Sequence, residues 1–337
     1  MATTQRPDPV TAPWVWSSRE ILDRDDWIVE LDETARRDLD AALGAVKRGG
    51  LALERLTAAD FPLPSMAESL ARTKRLLGDG PGLALIRGFP VDRYDRDEMA
   101  LILWGVGCHL GIGMPQSYRG DMIGDVMDMS HTGDTRRSYR SPRALDLHCD
   151  PVDVVGLLCL RRAREGGASL LTSSLAVHNA ILAARPDLLP ALYRGYHYRH
   201  SEAASLGEPA TTLHRIPVFG VCGGRVVCNF NASPIGRSLA EDGRKEDAAA
   251  LEAFEVFKAT TRRQDLMVRT MLEPGDLQLL NNRAVLHGRT LFGDHDDITR
   301  KRLMLRLWLR IPDWPALPDT MMLHKDGRAR ARVGAAD

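Results

Sequence analysis

The alternation of leucine with other residues across residues 302–310 is the clearest pattern in the chain. Leucine occupies every odd position from 303 to 309, whereas the even positions include Arg302 and Arg306. Because successive side chains of a β-strand point to opposite faces, this alternation predicts a strand with one apolar face. The second face carries guanidinium groups, and a buried guanidinium needs an anionic partner, ideally a carboxylate.

Other apolar patterns predict helices first and strands later. Residues 32–43 and 66–77 repeat apolar positions at helical spacing, and 97–110 follows the same pattern. Gly82–Pro90 is a short apolar run bounded by glycine and proline, which is typical of a buried strand. From about residue 126 onward the chain is rich in predicted strands, so we expect a mainly β core with flanking helices.

Two helical segments interrupt the strand-rich part, at 174–184 and at about 241–260. The turn sequence Pro274–Asp276 then precedes an apolar run over 277–286, which we predict to be a strand. Helices and strands therefore alternate irregularly, as in a β core that carries helical insertions.

Composition and charge exclude several classes of function. The 337 residues include 45 basic and 45 acidic side chains, so no strongly basic face for nucleic acid is expected. No segment approaches the roughly 20 apolar residues of a membrane span, and the N-terminal sequence lacks the apolar core of a signal peptide. The five cysteines have no paired spacing that predicts disulfides. We therefore expect a cytoplasmic protein without nucleic-acid or membrane partners.

Candidate metal ligands lie in the motif His148-Cys149-Asp150 and at His287. Residues i and i+2 of a strand share a face, so His148 and Asp150 can bind one metal ion while Cys149 points away. A third ligand must come from a distant strand, and His287 follows the apolar run that ends at Leu286. Two histidines and one carboxylate form the facial triad that holds non-haem Fe(II) and leaves positions open for other ligands.

These residues also have alternative interpretations. His148 and Asp150 fit a hydrogen-bonded pair on a strand, and His295 competes with His287 as third ligand, although it lies in an Asp-rich, loop-like sequence. Arg302 fits a solvated arginine on an exposed strand face. Its place in the alternating pattern and its proximity to His287 in the chain favour a carboxylate-binding role instead.

Five blocks of the chain carry a family resemblance: Leu147–Asp150, Gly156–Ala163, Gly166–Ser173, Pro274–His287 and Arg302–Arg306. Through them the chain resembles the taurine dioxygenase-like, clavaminate synthase-like Fe(II)/2-oxoglutarate oxygenases, from about residue 105 to residue 308. Together with the strand pattern, the resemblance implies a double-stranded β-helix, a cupin-like jelly-roll core. It also implies Fe(II) as cofactor, with 2-oxoglutarate and O2 as co-substrates.

The resemblance assigns roles residue by residue. His148, Asp150 and His287 match the iron ligands of the family. Arg302 matches the arginine that pairs with the distal carboxylate of 2-oxoglutarate. Halogenating relatives lack the carboxylate that this chain retains as Asp150, so the resemblance implies an oxygenase and not a halogenase.

Three further positions are assigned in the same way. Ser169 stands where the family usually has a co-substrate-binding threonine, and the hydroxyl group is preserved. Arg306 matches a position that faces co-substrate or substrate. Cys149 replaces the common threonine of the metal motif, which is tolerable because that side chain points away from the iron.

The predicted domain organisation is simple. We expect a flexible arm over residues 1–13 and a single catalytic domain over 14–337. Within the domain, 14–125 forms a helical part and 126–312 forms the jelly-roll core. The two ligand-bearing strands lie far apart in the chain, and we expect the intervening insert, about 174–265, to fold over the site.

The predicted reaction couples decarboxylation of 2-oxoglutarate to succinate and CO2 with oxidation of a C–H bond. Hydroxylation is the default outcome, and desaturation or cyclisation would use the same ligands. We expect a small, polar or amino-acid-like substrate, and a homodimer is the most common quaternary state to expect. The residues predicted to contact substrate are Arg306, Asn229, Asn231, Gln116 and Tyr118.

Two other classes of function remain open from the sequence. A cupin-type metalloenzyme, an isomerase or hydrolase with Zn(II) or Mn(II), would use the same ligands but would not need Arg302 and Arg306. A non-enzymatic sensor or scaffold would keep the core without needing an open metal site. Dependence on 2-oxoglutarate distinguishes the oxygenase from both.

Overall fold

The computed structural model describes residues 8–117, 120–132, 138–199, 207, 209–241 and 246–323. Its helices are α1 (Ser18–Leu22), α2 (Glu33–Gly49), α3 (Ala67–Gly78), α4 (Arg96–Leu110), α5 (Ser174–Ala184), α6 (Leu189–Arg194), α7 (Ala232–Leu239) and α8 (Ala248–Thr261). Its strands are β1 (Ile28–Glu30), β2 (Leu83–Arg87), β3 (Ile112–Gly113), β4 (Ile123–Val126), β5 (Leu145–His148), β6 (Val154–Arg161), β7 (Glu165–Gly166), β8 (Ser169–Ser173), β9 (Phe219–Cys222), β10 (Arg225–Cys228), β11 (Met267–Thr270), β12 (Leu277–Asn281), β13 (Val285–Arg289), β14 (Phe292–Gly293) and β15 (Leu303–Arg310). No helix in the described residues is both long and apolar enough to cross a membrane.

The helices near the N-terminus begin and end at residues that capping chemistry favours. Asp32 accepts a hydrogen bond from the backbone N–H of Ala35 at the start of α2, and Gly50 follows its end with a φ of 64°. Asp95 and Glu98 form a capping box at the start of α4. The three helices predicted in this part of the chain are present as α2, α3 and α4, and the predicted strand is present as β2.

Two sheets form the core. The larger has the strand order β1-β2-β12-β6-β15-β3, with β4 also paired to β15, and the smaller has the order β11-β8-β13-β5. The hydroxyl of Ser169 in β8 donates a hydrogen bond to the side chain of Gln278 in β12 over 3.3 Å. This contact joins the inner faces of the two sheets.

A turn at residues 282–284 carries the chain from one sheet to the other. The apolar run predicted as a strand over 277–286 is therefore divided into β12, in the larger sheet, and β13, in the smaller sheet. The Asn281 side chain stabilises the turn, because its oxygen accepts the backbone N–H of Arg283 over 2.9 Å. This crossing places His287 in the smaller sheet, on a different sheet from β15.

The apolar face of β15 packs against α4. A Cβ added at Gly107 of this helix would lie 2.5 Å from a methyl group of Leu307, so the helix and the strand are in close contact. The alternation over 302–310 is confirmed from Leu303 onward, because Arg306 and Trp308 occupy the face opposite the leucines. Arg302 itself lies just before β15, and the register of β15 with β6 is irregular between Leu303 and Met304.

A second apolar cluster covers the outer face of the smaller sheet. It combines side chains of α5, α6 and α8 with Leu147, Cys149 and Leu286. Cys149 is 4% exposed, and it points into this cluster, as the sequence predicted. All five cysteines are free thiols.

Part of the predicted N-terminal arm falls in the described residues. The backbone N–H and carbonyl of Val10 are both hydrogen-bonded, over 2.8 Å each, to the side-chain amide of Asn179 in α5. Residues 1–7 lie outside the described part of the chain. The predicted limits of the arm, the helical part, the core and the insert remain predictions.

Candidate active site

The three candidate ligands come together at the edge of the smaller sheet. His148 is the last residue of β5, and His287 lies directly opposite it on the neighbouring strand β13. Asp150 is two residues beyond the end of β5. The i, i+2 argument for a strand therefore does not apply to Asp150, because the strand ends before it.

The ligand atoms of His148, Asp150 and His287 all lie within 4.8 Å of one another. Nε2 of His148 is 3.8 Å from Oδ1 of Asp150, and Nε2 of His287 is 3.8 Å from Oδ2. Each carboxylate oxygen thus faces one imidazole nitrogen. In the described residues no other group of this kind occurs, and His295 does not belong to it.

Hydrogen bonding defines the tautomer of His148. Its Nδ1 lies 2.7 Å from the backbone carbonyl oxygen of Asp146. A carbonyl oxygen only accepts, so Nδ1 must carry the proton, and in the neutral ring Nε2 then has a free lone pair. This lone pair is directed toward the Asp150 carboxylate and is available to a metal ion.

The charge state of Asp150 results from opposing effects. Burial alone would raise its pKa, but the guanidinium of Arg306, whose Nη1 is 3.6 Å from Oδ2, lowers it, and so do His287, His148 and the hydrogen bond from Trp308. The resulting pKa is about 2. Asp150 is therefore a carboxylate at neutral pH.

Burial lowers the pKa of His287 to about 3, with a further lowering by His148 that outweighs the opposing effect of Asp150. His287 is therefore a neutral imidazole at neutral pH, and the permanent cation that keeps Asp150 ionised is Arg306. A divalent metal needs such deprotonated ligands. The two imidazoles and one carboxylate fit Fe(II), which the facial triad holds with open positions.

Two residues that the sequence argument missed hold Asp150 in place. The indole N–H of Trp308 donates to Oδ2 over 2.8 Å, and the side-chain oxygen of Asn282 accepts the backbone N–H of Asp150 over 3.1 Å. Trp308 occupies the same face of β15 as Arg306, so the alternation was the signal that could have identified it. Nothing in the sequence pointed to Asn282.

Arg306 is fixed on three sides. Its Cζ lies 4.4 Å from the ring centroid of Tyr139 and 4.7 Å from that of Trp308. Its Nε donates to the side-chain oxygen of Gln116 over 2.7 Å. This contact places Gln116 beside Arg306. Its predicted contact with substrate stays a prediction.

Arg302 is buried, with 4% of its surface exposed. Its Nη1 donates to the carbonyl of Val126 over 3.3 Å, and its Nη2 lies 2.9 Å from the sulfur of Met304, a weak acceptor. Burial lowers the pKa of this guanidinium to about 10. In the described part of the chain no carboxylate pairs with it, although the carboxylate of Asp294 accepts its backbone N–H.

Ser169 and Arg289 lie side by side on adjacent strands of the smaller sheet. They are register partners on β8 and β13, so both lie on the face that carries His287. Ser169 is 9% exposed, and its hydroxyl is bound to Gln278. Arg289, which the sequence argument did not identify, is 4% exposed.

The remaining candidates have structural contacts or fall outside the description. The Asn229 amide donates to the carbonyl of Met321 over 2.7 Å, and the Asn231 side chain caps α7 by accepting the backbone N–H of Ser233. Tyr118 lies outside the described residues. A role of these three residues in substrate binding stays a prediction.

A family model described as "Taurine catabolism dioxygenase TauD, TfdA family" matches residues 48–308. The chain belongs to this family. It is therefore a non-haem Fe(II)/2-oxoglutarate-dependent dioxygenase, as the sequence predicted, and a cupin-type isomerase or hydrolase is not favoured.

Two relatives match most of this dioxygenase. FR-33289 synthase of Streptomyces rubellomurinus (strain ATCC 31215) is 28% identical over 329 residues, which cover 96% of each chain. Taurine hydroxylase-like protein SAT17 of Stachybotrys chartarum (strain CBS 109288 / IBT 7711) is 26% identical over 311 residues, covering 87% of this chain and 77% of the relative.

Solved structures confirm the predicted double-stranded β-helix. Asparagine oxygenase in complex with Fe(II), 2S,3S-3-hydroxyasparagine and succinate has a TM-score of 0.67 at 18% identity, with 84% of this chain and 93% of the other covered. The non-haem iron oxygenase OrfP in complex with Fe, succinate and (3S)-hydroxy-L-Arg has a TM-score of 0.62 at 14% identity, with the same coverage. At such identities the likeness establishes the fold alone.

Proposed function

We propose that His148, Asp150 and His287 bind Fe(II) and that the enzyme hydroxylates a small, amino-acid-like substrate. The observation that carries the proposal is the Asp150 carboxylate between two imidazole nitrogens, each 3.8 Å from one of its oxygens. Neutral imidazoles and an ionised carboxylate suit Fe(II), whose bound form supplies the oxidising chemistry with 2-oxoglutarate and O2.

The protein contributes binding, orientation and charge. Asp150 stays ionised because Arg306 lies 3.6 Å away, and Trp308 fixes the direction of its carboxylate. Arg302, buried without a carboxylate partner in the described residues, binds the distal carboxylate of 2-oxoglutarate by a charge-assisted hydrogen bond. Ser169 supports the same co-substrate with its hydroxyl.

Arg306 is the residue we propose for substrate recognition. Its guanidinium lies beside the metal ligands and is held between Tyr139 and Trp308, so its orientation is set before substrate arrives. A guanidinium binds a carboxylate in a planar, paired geometry, which suits an amino acid. Two structural neighbours were solved with hydroxylated asparagine and with hydroxylated arginine, and they favour the same substrate class.

The test has two stages. Metal-free protein receives Fe(II) and then 2-oxoglutarate without O2, and we expect a visible charge-transfer band in wild type but not in His148→Ala. Substrate candidates, headed by free and N-acylated amino acids, are then screened for succinate release and for a product heavier by one oxygen. A folded wild-type protein that binds iron but shows no band would contradict the assignment of the site.

Location, covering of the site and assembly complete the proposal. We propose a cytoplasmic enzyme, in agreement with its five free thiols. Helices α5, α6 and α8 of the insert pack on the outer face of the smaller sheet. That the insert, about 174–265, folds over the site stays a prediction. A homodimer remains a prediction, which sedimentation equilibrium tests.

A further inference from the structure

Arg289 is a buried guanidinium that the assignments above leave without a function. Its Nη2 donates to the carbonyl oxygens of Ser141 and Arg143, over 2.7 Å each. Its Nε and Nη1 are buried and have no hydrogen-bond partner among the residues that the structure describes. A buried N–H group without an acceptor is unfavourable, so these donors call for a partner that the described residues do not provide.

Arg289 and Arg302 lie against the same aromatic ring. The Cζ of Arg289 is 4.7 Å from the ring centroid of Phe292, and the Cζ of Arg302 is 5.2 Å from it. In the described part of the chain neither guanidinium is paired with a carboxylate. Two buried cations close together without a directly paired carboxylate in the described residues are unfavourable, and an anionic ligand would offset this.

Arg283 is a buried arginine whose guanidinium is paired within the protein, in contrast to Arg289. Arg283 is also buried, with 6% of its surface exposed, but its Nη2 lies 2.6 Å from a carboxylate oxygen of Asp153. Its Nη1 donates to the carbonyl of Pro315 over 2.6 Å. Burial alone therefore does not explain the missing partners of Arg289.

The position of Arg289 relative to the metal ligands indicates that the anion is the distal carboxylate of 2-oxoglutarate. Arg289 follows His287 by two residues on β13, so both side chains point to the same face, and their Cα atoms lie about 7 Å apart. Ser169 is its register partner on β8. In 2-oxoglutarate the distal carboxylate lies two methylene groups beyond the keto carbon, so a molecule held at the metal ligands by its keto-acid end would be long enough to reach this cluster.

We propose that Arg289 is a second co-substrate-binding residue, which donates from an unpartnered N–H to the distal carboxylate that Arg302 also binds. This inference rests on the proposed function of Arg302 and goes beyond it, because it makes the pocket a two-arginine site. Such a site selects 2-oxo acids that carry a second carboxylate over those that do not. Arg289 meanwhile keeps its bonds to the segment 141–143.

The test compares two 2-oxo acids with one protein series. Fe(II)-loaded protein is titrated without O2 with 2-oxoglutarate and with pyruvate, which has the keto acid but no distal carboxylate. We expect Arg289→Gln to raise the Kd of 2-oxoglutarate about tenfold or more and to leave the Kd of pyruvate unchanged. Arg302→Gln should act in the same direction and serves as the positive control.

Arg283→Gln is the matched control for burial. It also removes a buried guanidinium, so its Tm should fall, but its ratio of the two Kd values should equal that of wild type. Metal-free protein provides a second readout: succinate, which retains the distal carboxylate, should raise the Tm of wild type more than that of Arg289→Gln.

The outcomes separate this inference from the proposed function. Absence of any charge-transfer band in folded, iron-loaded wild type contradicts the function itself. A normal wild-type band, together with an unchanged Kd ratio and an unchanged succinate effect in folded Arg289→Gln, overturns the role of Arg289. If Arg289→Gln does not fold, Arg289→Met, which keeps the apolar stem but no donor, is measured in the same way, and an unchanged ratio in that variant overturns the role equally.

Discussion

The indole N–H of Trp308 donates a hydrogen bond to Oδ2 of Asp150 over 2.8 Å. The bond joins β15 of the larger sheet to the loop that follows β5 of the smaller sheet. Trp308 is 3% exposed, so the bond is shielded from water. It holds the carboxylate with Oδ1 toward His148 and Oδ2 toward His287. The geometry of the metal ligands thus depends on a residue of the opposite sheet.

Trp308→Phe should weaken Fe(II) binding about tenfold, because removal of a hydrogen-bond partner of a metal ligand typically costs 10–100-fold in affinity. Phenylalanine retains most of the apolar contact, so we expect the fold to persist. The Kd of Fe(II) is measured anaerobically by competition with a chelator. Trp16→Phe is the matched control, since Trp16 is also buried and its indole donates to the carbonyl of Pro81 over 2.8 Å. Equal Fe(II) affinity in both variants would refute the role of Trp308.

Asp150→Asn should weaken Fe(II) binding by more than about 100-fold, a larger effect than the loss of a supporting hydrogen bond. The amide has nearly the same shape but no negative charge, and it leaves Arg306 without its counter-ion. Succinate formation should fall to the level of the enzyme-free reaction. Asp146→Asn is the control: Asp146 supports His148 through its backbone carbonyl, which the substitution preserves, so Fe(II) binding should be unchanged.

The free energy of unfolding of the metal-free protein should fall on acidification because of His287. The unfolded chain binds a proton near the ordinary histidine pKa of 6.5, whereas in the folded protein burial lowers the pKa to about 3. Below pH 6.5 the unfolded state therefore binds more protons than the folded state. The contribution of His287 to the free energy of unfolding is thus fully present above pH 6.5 and is lost as the pH falls toward 3. Between pH 7 and pH 5 the loss is about 2 kcal/mol.

Urea unfolding of wild type and His287→Gln at both pH values tests this expectation. Glutamine does not titrate, so the stability of the variant should depend less on pH by that amount. Parallel pH dependence in the two proteins would show that His287 does not carry the effect.

Gly105→Ala should destabilise the protein by about 1–3 kcal/mol through overpacking. A Cβ at this position of α4 would lie 2.3 Å from Cγ of Phe61, whose ring is fully buried. Gly236→Ala in α7 is the opposite case, because a Cβ there meets nothing within 4 Å. That variant should be neutral or more stable by about 0.5–1 kcal/mol, since alanine is the better helix former. Thermal unfolding of both variants measures the difference, and a loss of stability in Gly236→Ala would contradict the packing argument.

Local patterns in the sequence determined the type of several of the longer elements and the identity of the main candidates. The alternation of leucine with Arg306 and Trp308 depends only on neighbouring residues, and β15 is present from Leu303 onward. Helical spacing likewise predicted α2, α3 and α4. The metal motif at His148 could be recognised because imidazole and carboxylate side chains are typical metal ligands.

Tertiary structure alone decided how distant residues meet. Periodicity gave no indication that the chain changes sheets at 282–284, since the residues on both sides are equally apolar. The pairing of His287 with His148 is a matter of strand register across 138 residues of intervening chain, and register is set by packing of the whole sheet. Likewise, Trp308 reaches Asp150, and Arg289 lies near Arg302, only because two sheets face each other. The sequence by itself determined which side chains are suited to the chemistry; the stacking of the sheets decided which of them share one site, because contacts between residues far apart in the chain exist only in the folded state.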